Sequence, residues 1–423
     1  MLQKLKFILT ENKSLISNFL SLSMLQIVNY VLPLITFPYL VATLGVEKFG
    51  VLAYATATIM FFQILTDYGF NLSATKEVSI YRDNIDKLSE IYNSVMSIKI
   101  SLLMISFIIL SILLNTIERF QDDKMVYFYT FGTVAGNVLF PIWFFQGMER
   151  MKYITYLNII AKTFFTICIF IFVTKVDDYY IVLVLNSMGF IIIGFISIYI
   201  VKKDFKIQFF FVQKDILKKY MVDGWHIFIS SIFIHIYSSI SIVLLGLFTN
   251  NYYVGIYSII EKIVAIFNGM FAPITQTLYP YVVQKININK KEAMLLIRKI
   301  LKYYIFISIS LSIIIVIFSY ELLLFISKNP SIALDYKFYL EIASLSIILS
   351  RVGEVFGTFT LIGFGFNKLF TKIMLMGSII SIIISAVMIY SFGFQGAIYA
   401  YILSILIIVC MLYIQFNKIK EIG

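Results

Sequence analysis

Twelve apolar stretches follow one another along this chain, each about as long as a helix needs to cross ~30 Å of hydrocarbon, roughly 20 residues. They fall near residues 15–41, 51–72, 91–114, 125–147, 153–174, 179–201, 221–248, 254–280, 296–318, 338–362, 373–391 and 394–416. Together they take up well over half of the 423 residues, which leaves no room for a soluble domain beside them. Charged residues make up 13% of the chain, about half of the ~25% that a water-facing domain carries. A cytosolic enzyme, a secreted protein and a DNA-binding protein are thereby excluded. The fold class is all-α: a polytopic membrane protein of about 12 transmembrane helices.

The position of the charges sets the orientation. Of 34 Lys and Arg, 24 fall on the side that carries the amino terminus, the even-numbered loops and the tail. The opposite side holds Lys48, Arg119, Lys124, Lys175, Lys328 and Lys337. By the positive-inside rule both termini are cytoplasmic. The net charge of +11 is thus explained by topology and contact with anionic membrane lipids, not by nucleic acid. Trp143 and Trp225 lie near predicted cytoplasmic span ends, where indole rings favour the interface. Residues 1–14, with Lys4, Lys6 and Lys13, resemble a signal n-region, but the long run after them has no small-residue cleavage site and reads as an uncleaved first span. Two histidines and two cysteines, Cys168 and Cys410 both inside apolar runs, exclude a structural zinc site, a haem pair and a disulfide framework. No cofactor, metal site or catalytic residue is expected.

The chain repeats itself. LGVEKFGVLAYATATIMFFQ (44–63) aligns with FTNNYYVGIYSIIEKIVAIFN (248–268), pairing Gly50 with Gly255 at an offset of 205. FFQGMERMK (144–152) aligns with TLIGFGFNK (360–368), pairing Gly147 with Gly363 at an offset of 216, after a longer external segment at 319–337. The expected organisation is a six-helix bundle at 1–201, a basic cytoplasmic linker at 202–220 and a second six-helix bundle at 221–423. A repeat of even span number keeps its orientation, so an axis along the membrane normal should relate the halves around a central cavity, as in an alternating-access transporter.

Ionisable side chains inside spans cost roughly 2.5–3.5 kcal/mol each on insertion scales and mark function by default. Here they are Asp67, Lys99, Lys162, Glu261, Lys262, Arg351 and Glu354, with His235 as a titratable extra. Helical spacing puts several on polar faces: Thr56, Gln63, Asp67 and Asn71 in one stripe, and Thr155, Asn158, Lys162 and Thr166 in another. A third stripe holds Tyr257, Glu261, Ala265 and Asn268, with Lys262 pointing elsewhere. Arg351 and Glu354 are placed i, i+3, where they pair. Asn18, Gln26 and Asn29 near Pro33 and Pro38 make span 1 polar and kinked. The plain alternative is that these charges pair off between helices or snorkel, and for His235 that it is a hydrogen-bonded packing residue. Four cations against three carboxylates leave a surplus of +1. No G-x-x-x-x-G-K-[ST] occurs, so ATP hydrolysis at a P-loop is excluded. Asp122-Asp123 and Asp177-Asp178 read as solvated external loops.

DYGFNLSATKEVS (67–79) and PIWFFQGMERMKYIT (141–155) resemble the signatures of Wzx-type O-antigen and polysaccharide repeat-unit flippases. These form a branch of the multidrug/oligosaccharidyl-lipid/polysaccharide exporter superfamily. DGWHIFISS (223–231), VGIYSIIEKI (254–263) and FGFQGAIYA (392–400) are similar to it more loosely, and the resemblance runs from span 1 to span 12. It implies two six-helix bundles in a MATE-like V around a cation-lined cavity in the bacterial inner membrane. It also implies the cargo, an oligosaccharide on undecaprenyl pyrophosphate moved from the cytoplasmic to the periplasmic leaflet, with a polysaccharide polymerase and a chain-length regulator as partners. Under that resemblance Lys99, Lys162 and Arg351 are the expected substrate-binding cations, facing pyrophosphate or sugar acids. Asp67, Glu261 and Glu354 are the expected ion-coupling carboxylates for H⁺ or Na⁺, Glu261 the best placed and Glu354 weakened by Arg351. A multidrug or metabolite exporter of the same fold is the first rival; a membrane glycosyltransferase or polysaccharide polymerase is the second.

Overall fold

The computed structural model describes residues 13–121 and 123–422, and among them every regular element is a helix. In chain order these are α1 (Lys13–Asp67), α2 (Phe70–Ile80), α3 (Ile85–Thr116), α4 (Lys124–Leu139), α5 (Ile142–Gly147), α6 (Met151–Phe172), α7 (Tyr179–Asp204) and α8 (Lys214–Phe248). The second half adds α9 (Asn251–Gly269), α10 (Ala272–Ile288), α11 (Lys290–Ile317), α12 (Ser319–Ser327), α13 (Pro330–Glu354) and α14 (Asn367–Ile422). Lys4, Lys6 and Asp122, named above, lie outside the described residues, as do the side chains of Lys13, Asn18 and His235.

Two of the expected spans are merged at each end of the chain. α1 runs through spans 1 and 2 and breaks at Gly45, whose φ of 75° and ψ of 165° suit only glycine. α14 runs through spans 11 and 12 and breaks at Gly393, with φ 56°. Apolar helical stretches of 50 and 52 residues reach ~75 Å at 1.5 Å per residue, more than twice the thickness of the hydrocarbon core. Each therefore supplies two crossings. Span 8 is also divided: α9 and α10 meet at a bend of 42°. Eight helices among the described residues are long and apolar enough to cross a membrane, or nine with that bent pair counted as one.

The chain forms two compact units, one of residues up to Thr36 with Ala55–Ile232, the other of Phe37–Tyr54 with Phe233 onward. The first unit is built on aromatic packing around Trp143, Phe144, Phe145, Tyr92 and Phe140. Trp143 is fully buried there, not at an interface, because α5 turns it into the bundle against Tyr92 at 5.9 Å. Trp225 is exposed, as the interfacial reading requires. The segment after α7 is strapped to this unit. Asn93 Nδ2 donates to the Gln208 carbonyl at 2.7 Å, the Gln208 N–H donates to Ser89 Oγ at 3.1 Å, and Ile207 is buried.

α4 and α7 touch backbone to backbone. A Cβ on Gly136 would sit 2.7 Å from the Ile191 nitrogen, and one on Gly132 would sit 2.6 Å from Ser187 Cβ. Small residues four apart are what lets two membrane helices approach this closely.

The repeat is visible in where helices break. The first half breaks at Tyr68 and Gly69, both left-handed, between α1 and α2; the second breaks between α9 and α10 around Met270 and Phe271. An offset of 216 carries the Phe140–Pro141 interruption between α4 and α5 onto Phe356–Gly357. Those two residues lie inside a π-helical turn, Val355–Ile362, that follows α13. Gly147 packs on Val78 of α2, and its counterpart Gly363 packs on Ile286 of α10. In the second unit the aligned glycines Gly50 and Gly255 meet. A Cβ on Gly50 would lie 2.8 Å from the Gly255 nitrogen, and one on Gly255 would clash with the Val46 carbonyl.

Candidate functional site

In the first unit, Lys99 projects from the middle of α3 into a nearly dry interior, 2% exposed. Its Nζ donates to Asp67 Oδ1 at 3.0 Å, and Asn71 Nδ2 donates to the other carboxylate oxygen from one helical turn on. A lysine buried this far from water needs such a counterion, since an uncompensated charge there costs several kcal/mol. The carboxylate itself stays 40% exposed. The polar stripe read from the sequence is thus a hydrogen-bonded one, extended by Gln63 Nε2 donating to Thr133 Oγ1 at 3.1 Å.

Lys162 is placed differently. It is the twelfth of the 22 residues of α6, as far from one end as from the other. Its Nζ donates to Asn29 Oδ1 at 2.6 Å, a neutral partner. The opposite face of α6 carries Tyr156, Ile160, Phe164 and Ile171, all exposed, as a lipid-facing stripe would be. Lys162 borders a small, mostly apolar cleft of about 30 Å³ between α6 and α7, with Asn158, Phe165, Asn186 and Phe190.

In the second unit, Arg351 and Glu354 form the pair their spacing predicts, Nη1 to Oε2 at 2.5 Å. The guanidinium lies 4.8 Å over the ring of Phe271, at the break between α9 and α10. Phe271 in turn packs against Tyr304 at 5.4 Å, and the Tyr304 hydroxyl is bonded to Thr275 Oγ1 at 2.8 Å. Directly after Glu354 the backbone enters the π-helical turn, a distortion that recurs at functional sites. Two polar atoms in this region, Arg351 Nε and Asn268 Oδ1, are buried without a hydrogen-bond partner among the described residues. Tyr401 lies near Ser346, Glu261 and Arg351. Glu261 is half-buried, and among the described residues it forms no ion pair within 4 Å. Lys262 points away from it, 5.3 Å and 5.2 Å over the rings of Phe37 and Phe49, which attract a cation through their π faces.

The embedded charges therefore sort themselves. Asp67 neutralises Lys99 and Glu354 neutralises Arg351, whereas Glu261, Lys262 and Lys162 form no ion pair within 4 Å among the described residues. Tyr304, Tyr401, Phe271 and Asn186 were not singled out from the sequence. The repeat offers a signal for one of them: an offset of 205 carries Lys99 onto Tyr304.

The motifs that carried the resemblance converge on one end of the first unit. Thr75 Oγ1 donates to the Trp143 carbonyl at 3.1 Å, and Arg82 Nε donates to the Gly147 carbonyl at 3.0 Å while its Nη2 pairs with Glu149 at 3.0 Å. Phe228 stacks on Tyr68 at 4.6 Å, and Ile227 closes on Gly69. In the structure these residues pack around a helix break.

The family described as Polysaccharide biosynthesis protein matches residues 15–286. A curated protein of Escherichia coli (strain K12) named "Putative O-antigen transporter" is 30% identical over 375 residues, 89% of this chain and 90% of its own length. One of the same name from Shigella dysenteriae is 26% identical over 93% of this chain and 98% of its own. Among solved structures, the lipid II flippase MurJ in an inward closed conformation superposes with a TM-score of 0.76 at 15% identity, covering 95% of this chain and 87% of that one. A Vibrio cholerae MATE transporter does so with a TM-score of 0.62 at 12% identity, covering 97% of each chain. At such identities the likeness is one of fold.

Proposed function

This chain belongs to the polysaccharide biosynthesis protein family, and from that premise we propose that it is a multi-pass membrane flippase for a lipid-linked oligosaccharide, a transporter and not an enzyme. The cargo is an O-antigen or related repeat unit on undecaprenyl pyrophosphate, carried from the cytoplasmic to the periplasmic leaflet of the bacterial inner membrane by alternating access. Both termini are cytoplasmic, and a polysaccharide polymerase with its chain-length regulator takes up the product. The observation that carries this reading is an embedded cation outside the ion pairs: Lys162, in the middle of an apolar helix, is held by the neutral Asn29. An anionic headgroup needs such a cation on its path, while the polyprenyl tail stays in lipid.

Lys99, Lys162 and Arg351 are the proposed cargo contacts, with Lys162 the principal one. Asp67, Glu261 and Glu354 are the proposed coupling carboxylates, for H⁺ or Na⁺. Glu261 leads, because Asp67 and Glu354 are each committed to a cation at 3.0 Å and 2.5 Å. Proteoliposomes containing the purified protein and a fluorescent lipid-linked oligosaccharide test the reading. Translocation that depends on the protein supports it. Extrusion of cationic dyes without lipid movement would make the chain a multidrug exporter instead.

A further inference from the structure

The chain between α7 and α8 displays three consecutive phenylalanines, and both of its ends are fixed to the first unit. On one side Phe205 packs on Phe144 at 5.1 Å and Ile207 is buried, while Gln208 is bonded to α3 through both its N–H and its carbonyl. On the other side Tyr220 is buried, and its hydroxyl donates to Glu90 at 3.5 Å. The inward positions are thus taken. Phe209 keeps a ring contact with Tyr92 at 5.7 Å, yet Phe209, Phe210 and Phe211 are all exposed, Phe211 completely. A run of exposed apolar residues like this marks a surface that something covers.

Six lysines flank the run, Lys202, Lys203 and Lys206 before it and Lys214, Lys218 and Lys219 after it. Against Asp204, Asp215 and Asp223 they leave residues 202–225 at a net +3. All six are exposed, and among the described residues none of them forms an ion pair within 4 Å. Asp204 instead accepts from the Tyr153 hydroxyl at 2.9 Å. On α8, Lys214, Lys218, Met221, Val222 and Trp225 share one exposed face. From Lys214 to Trp225 the helix climbs about 16 Å at 1.5 Å per residue, and along it charge gives way to apolar side chains and an indole. That order matches a descent from phosphates into the acyl boundary. The segment also lies where one span leaves the membrane and the next enters it: α7 closes the apolar stretch Val176–Asp204, and α8 carries the span read at 221–248. A lipid leaflet supplies both chemistries at once, phosphate for lysine and acyl chain for phenylalanine. We propose that residues 206–225 are a peripheral anchor selective for anionic phospholipid. Phe209–Phe211 dip beneath the headgroups, and Lys206, Lys214, Lys218 and Lys219 hold the phosphates of phosphatidylglycerol. That the leaflet is the cytoplasmic one follows from the topology; the anchor itself is independent of the cargo.

The two tryptophans provide the test. Trp143 is fully buried and Trp225 is exposed, so quenching from the bilayer reports Trp225. The full-length protein is placed in nanodiscs with equal fractions of phosphatidylglycerol or phosphatidylcholine, each brominated on its acyl chains. Brominated phosphatidylglycerol should quench about twofold more strongly, and high salt should remove the difference, because exposed charges are screened. Combined Lys206→Gln, Lys214→Gln, Lys218→Gln and Lys219→Gln should abolish the preference and leave quenching by phosphatidylcholine unchanged. In a Trp225→Phe background, Phe211→Trp should be quenched by both brominated lipids and protected from aqueous acrylamide. Equal quenching by the two lipids in the parent, or acrylamide reaching Phe211→Trp, would overturn the proposal. Shielding of Phe211→Trp from lipid and acrylamide alike would put protein over the phenylalanines and overturn it as well. Displacement of brominated phosphatidylglycerol by a far smaller fraction of undecaprenyl pyrophosphate would make the lysines a landing site for cargo instead. None of these readouts needs transport, so their failure leaves the flippase reading untouched.

Discussion

Lys99 and Lys162 are both lysines in the middle of apolar helices, yet the structure gives them different partners, a carboxylate and a neutral amide. Lys99 is locked by Asp67 and Asn71 and stabilises the bundle in its ionised, paired form. Removing one partner leaves a buried charge, at a cost of about 3–5 kcal/mol, whereas replacing both by apolar residues is often neutral. Asp67→Leu should therefore lower the melting temperature in detergent sharply, and the Lys99→Met, Asp67→Leu double variant should recover most of the loss. A double variant no more stable than the single one would show that the pair is not the reason Asp67 is needed for stability. Lys162 has no carboxylate to lose, so Lys162→Ala should leave melting within a degree or two of the parent and reduce surface polysaccharide several-fold. Normal polysaccharide in a Lys162→Ala, Arg351→Ala double variant would refute their role as cargo contacts. Among the carboxylates, Glu261→Gln should uncouple translocation from an imposed pH or Na⁺ gradient more than Glu354→Gln does. An equal gradient response in wild type and Glu261→Gln would remove Glu261 as the coupling group.

At the scale of the elements, glycines decide where helices stop and how near they come. Gly45 sits at φ 75°, ψ 165°, a region that costs other residues about 1–3 kcal/mol. Gly45→Ala should destabilise by that amount although a Cβ there would touch nothing. A neutral Gly45→Ala, measured by thermal melting, would mean that the break between spans 1 and 2 is not held by backbone conformation. Gly136 acts through space instead: a side chain there meets the backbone of Phe190 and Ile191. Gly136→Val should force α4 from α7, cost about 1–3 kcal/mol by overpacking, and disturb the Lys162 cleft, since Phe190 lines it. A lowered melting temperature in Gly136→Val, with Gly136→Ala intermediate, is the expected readout.

For the whole molecule, the repeat is more informative than any one residue. The two halves place a helix break, an interrupted fourth helix and a close-packed glycine at corresponding positions, but they fill them with different charges. Where the first half buries Lys99 against Asp67, the second has Tyr304 against Thr275. Where the second half sets Arg351 on Phe271, the first has no ion at the corresponding position, Ala135 under the offset of 216. The orientation is open to a direct measurement: reporter fusions after Lys203 and after Lys328 should report the cytoplasm and the periplasm respectively. A periplasmic signal at Lys203 would invert the topology and with it the direction of transport.

The sequence by itself determined the class of the protein, because hydropathy, charge spacing and span length are additive along the chain and need no knowledge of neighbours. It also determined the Arg351–Glu354 pair, which is local to one helical turn, and the repeat, which is written in glycine positions. Tertiary structure alone decided which embedded charges cancel. Asp67 and Lys99 are 32 residues apart, and Lys162 meets Asn29 across 133; no period within one helix reports such pairs. Trp143 shows the same limit from the other side. Its place near a span end predicted an interfacial ring, and the break before α5 turned it into the core. Where one helix ends is written in its own residues, but what its side chains meet depends on every helix packed around it.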